Sequence, residues 1–173
     1  ALDTTGSVIY CGSFSKVLSP GMRVGYLCAP QKLTPSLAVA KQCTDVHTAM
    51  LPQLICHRFL TQLDFESHIA RCRSIYGEKY HLMARCIGEE FSQKVQVTTP
   101  QGGLFLWCTL PKGQDVMAFA QKALAQGVAI VPGNAFLVDE KESTTSFRLN
   151  YATPSQQDIQ TGIAVLGRLT KEL

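Results

Sequence analysis

Apolar residues form short runs near the start of the chain and longer three-to-four-residue periodicities after it. Val8, Ile9, Tyr10 and Cys11 make a nearly continuous apolar run, which predicts a buried strand over residues 8–11. A second run predicts a strand over 24–29, closed by Pro30. Residues 33–45 read as a helix, with Pro35 suited to its first turn. Pro52 breaks the pattern, and another helix is predicted from there to residue 63. The clearest periodicity covers 65–91, where Ile69, Cys72, Tyr76, Tyr80, Met83, Ile87 and Phe91 recur every three or four residues. Gly77 interrupts that stripe, at a cost of about 1 kcal/mol against alanine. A stripe of Met and aromatic residues at this spacing is core packing rather than a cofactor box.

After residue 92 the texture changes. Alternation predicts strands over 95–98 and 104–110, separated by the turn sequence "PQGG". A helix follows over 115–126, with Asp115 at its start and Gly127 as its stop. A brief strand is predicted over 128–131, then a loop "PGNAF", a polar surface segment "DEKEST" and a strand over 147–151. "TPSQ" opens the last helix, with Thr153 as the expected N-cap and Pro154 at the first position. Ile159, Ile163, Leu166 and Leu169 give its buried face. The order is two strands, then helices, then a β-β-α-β-β-α unit. That tail reads as a small α+β domain whose sheet is covered on one side by helices. The first two strands have neither a helical crossover nor a hairpin-length loop, and read as the last strands of a larger sheet.

Composition narrows the classes. The chain has 173 residues, 46% hydrophobic and 17% charged, which is enough apolar material for a core. The net charge of +3 comes from scattered residues such as Lys41, Arg58, Arg71, Arg73, Lys79 and Arg85. No block of five basic residues appears, so no nucleic-acid partner is expected. None of the seven cysteines forms a CxxC pair, which argues against zinc and for buried free thiols in a reducing cytoplasm. No apolar stretch approaches about 18 residues, so no membrane span is expected. The first residues, "ALDTTGSVIY", have neither a signal peptide's pattern nor an initiator Met, and read as the start of a piece of a longer protein.

The chemistry concentrates in "GSFSKVLSPGMRVGY", residues 12–26. Lys16 stands just past a strand end, where open α/β sheets place their ligands. Ser13, Ser15 and Arg23 are a sensible set for one phosphate: two hydroxyl donors and a planar guanidinium fork. Three readings of Lys16 stay open on composition alone. It is a surface lysine, a phosphate cation, or a lysine that forms a Schiff base with a phosphorylated aldehyde cofactor. A P-loop is excluded, because GxxxxGK[ST] is absent.

"SFSKVLSPGMRVGY" resembles the pyridoxal-phosphate lysine signature of fold type I aminotransferases, S-x-S-K-x-x-x-P-G-x-R-x-G. "AKQCTDVHTAMLPQ", "PQGGLFLWCTLP", "GVAIVPGNAF" and "FRLNYATP" follow in the order of the same family. The resemblance covers essentially the whole chain and is nearest the 2-aminoadipate and kynurenine aminotransferase group. The aminotransferase-like domain of MocR-type (GntR-class) transcriptional regulators is similar too.

The resemblance implies an α/β fold. The last strands of the large domain of the pyridoxal-phosphate-dependent transferases, residues 1–45, would be followed by connecting helices, 46–92, and the small C-terminal domain, 93–173. It implies pyridoxal 5'-phosphate as cofactor, α-amino-acid and 2-oxo-acid substrates and a homodimer. Lys16 would carry the cofactor aldehyde as an imine and then move the proton at the substrate Cα. Ser13, Ser15 and Arg23 would hold the phosphate. Gly21 and Gly25 would let the backbone pass close to it. Arg148 would clamp the substrate α-carboxylate, and His47 and Thr48 would lie on the substrate side. Against these roles stand plainer ones: Arg148 on a solvated strand face, His47 as a loop cap, and Tyr10, Tyr26, Tyr151 and Trp107 as packing residues. The family's other cofactor contacts come from segments upstream of the lysine strand, so this chain alone is expected to be inactive and to bind the cofactor weakly. The alternative is a ligand-sensing domain of a transcriptional regulator.

Overall fold

The computed structural model describes residues 3–139 and 142–173. The chain divides into two compact units, with the boundary between Arg71 and Cys72. Part of the polar "DEKEST" segment, residues 140–141, lies outside the described residues.

The first unit begins with two strands, β1 (Tyr10–Ser13) and β2 (Gly25–Cys28). They pair directly and antiparallel, Tyr10 opposite Cys28 and Ser13 opposite Gly25. The expectation of two buried strands is corrected here. Tyr10 is 58% exposed, Tyr26 48% and Leu27 48%. An apolar run marks what a strand can bury, but only a second layer buries it, and within this unit no layer covers these side chains. Gly12 gives the Tyr26 ring room to lie across β1. A Cβ there would stand 2.2 Å from the Tyr26 ring, which lies across the strand over the glycine. Helices α1 (Thr34–Asp45) and α2 (Met50–Gln62) follow, and Pro35 sits at the start of α1 as expected. Cys56 and Phe59 on α2 and Val24 beside β2 are the unit's buried apolar residues.

Helix α3 (Phe65–Glu90) runs unbroken through Gly77. Asp64 starts it, accepting hydrogen bonds from the Ser67 amide at 3.0 Å and the Ser67 hydroxyl at 2.6 Å. Its predicted stripe is the one that packs: Met83, Ile87 and Phe91 are buried, with Tyr76 and Tyr80 half-buried against the same cluster.

The second unit is a four-stranded antiparallel sheet with helices on one face. Its strands are β3 (Gln96–Thr98), β4 (Phe105–Thr109), β5 (Val131–Pro132) and β6 (Ser146–Asn150), in the order β3-β4-β6-β5. Alternation sends Leu106, Cys108, Phe147 and Leu149 into the core with α3 and with the helices α4 (Val116–Ala125) and α5 (Gln156–Lys171). Asp115 caps α4 as predicted, accepting from Met117 N at 2.8 Å and Ala118 N at 3.2 Å. Gly127 stands at φ 80°, the left-handed conformation of a helix stop. At Gly167 the backbone of α5 approaches α3 closely, since a Cβ there would come within 2.7 Å of the Glu90 carbonyl oxygen.

Two expectations are corrected in this unit. The strand predicted over 128–131 is shorter and later, because Val128 N donates to Ala123 O at 2.9 Å and so closes α4 instead. The N-cap of α5 is Ser155, not Thr153. Asn150 engages Thr153, its Nδ2 donating to Thr153 Oγ1 at 3.0 Å. Ser155 and Asp158 form the reciprocal capping box, with Ser155 Oγ accepting from Asp158 N at 3.1 Å and Asp158 Oδ2 accepting from Ser155 N at 3.1 Å.

The cysteine expectation holds in part. Cys56, Cys86 and Cys108 are buried, and burial pushes the Cys108 thiol up to about 12. Cys11, Cys28 and Cys43 are exposed, because they lie on the uncovered strand pair and on a solvent side of α1.

The capping box carries a pH dependence. The Ser155 hydroxyl and then its amide hold the Asp158 carboxyl below the usual value. A depressed carboxylate contributes stability that is full above its unfolded pKa, about 3.9, and is lost as pH falls through the folded value. The thermal midpoint is therefore expected to drop below about pH 4, and to drop less steeply in Asp158→Asn. Melting curves from about pH 6 to about pH 2 check this; parallel profiles would refute it.

Candidate functional site

Lys16 sits in a turn that follows β1 directly. The turn closes when the Leu18 and Ser19 amides both donate to the Phe14 carbonyl, at 2.9 and 3.1 Å. Phe14 N donates in turn to Val24 O at 3.0 Å, so the chain after Ser13 is tied to the chain after Arg23. With Ser13 opposite Gly25, this places Ser13, Ser15, Lys16 and Arg23 at one end of the β1–β2 pair.

The two serines touch. Ser13 Oγ donates to Ser15 Oγ at 3.0 Å, and Ser15 N donates to Ser13 Oγ at 3.1 Å. The Ser15 hydroxyl hydrogen is then left to donate outward. Arg23 takes the left-handed conformation, φ 52°, at the end of the short 3-10 turn Pro20–Met22. One guanidinium nitrogen donates to Pro20 O at 3.3 Å. The rest of the fork has no partner among the described residues. Lys16 is exposed, and its ammonium likewise has no hydrogen bond or ion pair among the described residues. An open groove of about 450 Å³ beside the turn is lined by Ser13, Phe14, Val17, Tyr26, Leu60 and Phe65.

His47 and Thr48 lie in the link between α1 and α2. Val46 there has φ 62° and ψ −62°, and His47 N donates to Asp45 O at 2.7 Å. That is a γ-turn of positive φ, which costs a β-branched residue on the order of 1–3 kcal/mol. His47 Nδ1 is 3.0 Å from Thr48 O, and Gln53 Nε2 donates to the same carbonyl at 2.6 Å. His47 is exposed in this loop.

Arg148 is in the second unit, at the centre of β6, opposite Trp107 on β4 and Val131 on β5. Alternation puts it on the sheet face away from the helices. Its guanidinium carbon stands 4.0 Å from the centre of the Phe105 ring and 4.8 Å from that of Phe136. Trp107 braces Phe136 edge-on, with ring centres 5.5 Å apart. Two ring faces orient the fork while leaving its N–H groups unused, since Arg148 has no ion pair among the described residues. Phe105 and Phe136 carry no motif of their own. The alternation of "LFLW" places Phe105 and Trp107 on one face, but only the strand register puts Arg148 beside them.

Tyr151 is a packing residue, donating its hydroxyl to Gly103 O at 2.7 Å from a buried position. Tyr26 packs against Phe14 and Tyr10, and its hydrogen bond with Tyr10 raises its phenol above the usual value. Among the described residues no cluster of His, Cys, Asp or Glu could hold a metal ion. Among the same residues no helix is long and apolar enough to cross a membrane.

A lysine at a strand end beside paired hydroxyls and an arginine, on an α/β chain with a small antiparallel sheet, is the construction of the fold type I transferases. Solved structures share the fold. An alpha-aminoadipate aminotransferase of Thermus thermophilus, complexed with N-(5'-phosphopyridoxyl)-L-leucine, superposes with a TM-score of 0.89 at 40% identity, over 95% of this chain and 42% of that one. A kynurenine aminotransferase of Pyrococcus horikoshii gives 0.92 at 35% identity, over 99% and 42%. The model of the family Aminotransferase class I and II matches residues 1–166, and the chain belongs to that family. It is 41% identical to a 2-aminoadipate transaminase of Thermus thermophilus, over 96% of this chain and 41% of that protein. It is also 30% identical to an uncharacterized HTH-type transcriptional regulator of Bacillus subtilis, over 99% of this chain and 35% of the regulator. The chain thus spans about two fifths of the length of the aminotransferases it matches.

Proposed function

We propose that this chain is the lysine-bearing part of a pyridoxal-phosphate-dependent aminotransferase that moves an amino group between an α-amino acid and a 2-oxo acid. The observation that carries the reading is the grouping of Lys16 with the Ser13–Ser15 pair and Arg23 at one strand end. The donor set fits a phosphorylated aldehyde. Ser15 has an outward hydroxyl hydrogen and Arg23 has spare guanidinium hydrogens, both suited to phosphate oxygens. Lys16 has an accessible amine with nothing competing for it among the described residues.

When bound, the cofactor supplies the electron sink that lets a Cα–H bond of an amino acid break. The residues of this chain would supply one part of the remaining work. Lys16 would hold the cofactor aldehyde through its amine, and the same amine would hold and move the proton at the substrate Cα. Ser13, Ser15 and Arg23 hold the phosphate. Arg148, oriented by Phe105 and Phe136, grips the α-carboxylate with two parallel N–H bonds. His47 and Thr48 line the substrate side of the link after α1. We read the parent as a cytoplasmic homodimer, a reading that rests on its family resemblance.

Attachment is the direct test. The full-length protein is incubated with pyridoxal phosphate, reduced with borohydride, digested and mapped by mass. One reduced adduct is expected, on Lys16, with none in Lys16→Ala. Labelling spread over several lysines, or retained at the same level in Lys16→Ala, would remove Lys16 from this role.

The similarity to helix-turn-helix regulators favours a second reading, in which the same residues sense an amino acid for a DNA-binding protein. Amino-group transfer to a 2-oxo acid by the full-length protein decides for the enzyme, and amino-acid-dependent DNA binding without transfer decides for the regulator.

A further inference from the structure

The turn that carries Lys16 is held by a residue outside the proposed chemistry. His68, in the first turns of α3, directs Nε2 at the Val17 carbonyl oxygen 2.8 Å away, across 51 residues of sequence. A carbonyl only accepts, so Nε2 bears the hydrogen. The ring has a fixed orientation. It stands edge-on to Phe59, with centres 5.0 Å apart at 90°. Phe59 is itself 7% exposed and edge-on to Phe65 at 5.7 Å. An open groove of about 450 Å³, lined by Phe14, Val17, Leu60 and Phe65 among others, borders the turn in place of solid packing. Packing alone therefore leaves it room to shift, and a directional bond to the residue after Lys16 removes that freedom.

We infer that His68 is a positioning residue, which fixes the turn so that Lys16 is presented at a constant place beside Ser13 and Ser15. The inference rests on the reading of Lys16 as the cofactor-attaching residue.

Two variants separate this role from a general one. His68→Phe keeps a ring against Phe59 and loses the donor. His68→Gln puts an amide nitrogen where Nε2 stood. The first readout needs no cofactor: hydrogen exchange at the Leu18 and Ser19 amides, with the β1–β2 amides as internal control. His68→Phe is expected to speed exchange in the turn about fivefold, the factor one net hydrogen bond is worth, and to leave the strands unchanged. His68→Gln is expected to restore slow exchange. The second readout is the rate at which pyridoxal phosphate becomes borohydride-fixed at Lys16 of the full-length protein, expected to fall by a similar factor in His68→Phe and to recover in His68→Gln. Unchanged exchange in His68→Phe overturns the inference. So does exchange that rises equally in turn and strands, and so does a loosened turn with an unaltered attachment rate. Absence of any adduct at Lys16 in the unsubstituted protein overturns the functional reading instead, while the exchange result still decides whether His68 holds the turn.

Discussion

Arg148→Ala is expected to weaken binding of an α-amino acid to the cofactor-loaded full-length protein about a hundredfold, leaving cofactor attachment at Lys16 unaltered. Hydrogen bonds to a charged group are each worth about 1.5–3 kcal/mol, and about 1.4 kcal/mol is a factor of ten, so losing a two-bond clamp reaches that size. The geometry adds a finer expectation. The guanidinium lies 4.0 Å from the centre of one ring and 4.8 Å from another, an arrangement that suits a flat, delocalised cation. Arg148→Lys retains the charge but not the fork or the stacking, so it is expected to recover only a small part of the loss. Spectroscopic titration with an amino acid and with the corresponding amine lacking the carboxylate checks both points. The amine's affinity should be insensitive to the substitution, and a parallel loss for amine and amino acid would refute the clamp.

The neighbouring position governs folding instead. Phe147 is fully buried, at 0% exposure, and packs against Phe119 with ring centres 5.3 Å apart. Phe147→Ala is expected to cost about 3–5 kcal/mol, from lost transfer energy and the cavity left behind. That is a large share of the ~5–15 kcal/mol that stabilises a typical domain. Urea denaturation should show the midpoint falling sharply with little change in slope. A loss below about 1 kcal/mol would mean that the sheet and α4 close over the gap. The contrast with Arg148 follows from strand alternation. One residue along β6 turns a side chain from the helix-covered core to the open face.

The elements that read correctly from the chain are those whose signal is local. The α3 stripe is periodic over many turns, so Met83, Ile87 and Phe91 could be placed on a buried face before any partner was known. Asp115 and Gly127 bound α4 as foreseen, because a cap is made by residues a few positions away. The misplacements also have local causes. At α5 the expected cap Thr153 is engaged by Asn150, and Ser155, two residues on, forms the capping box instead. At 128–131 an apolar run reads as strand, but its first amide was claimed by the end of α4.

The candidate site divides in the same way. Ser13, Ser15, Lys16 and Arg23 were legible as a group because the hydroxyls, the amine and the guanidinium fall within one short stretch around one strand end. Phe105, Phe136 and His68 were not. Each meets its target through strand register or helix packing, which no local window contains. The burial of β1 and β2 was overstated for a related reason, since a run of apolar residues states a preference and the facing layer decides whether it is met. Residue types and short-range spacing set which groups this chain can bring to a phosphate, an aldehyde or a carboxylate. The contacts that aim them belong to the folded state alone, because they join residues far apart in sequence, and such pairs form only when the whole chain has closed around them.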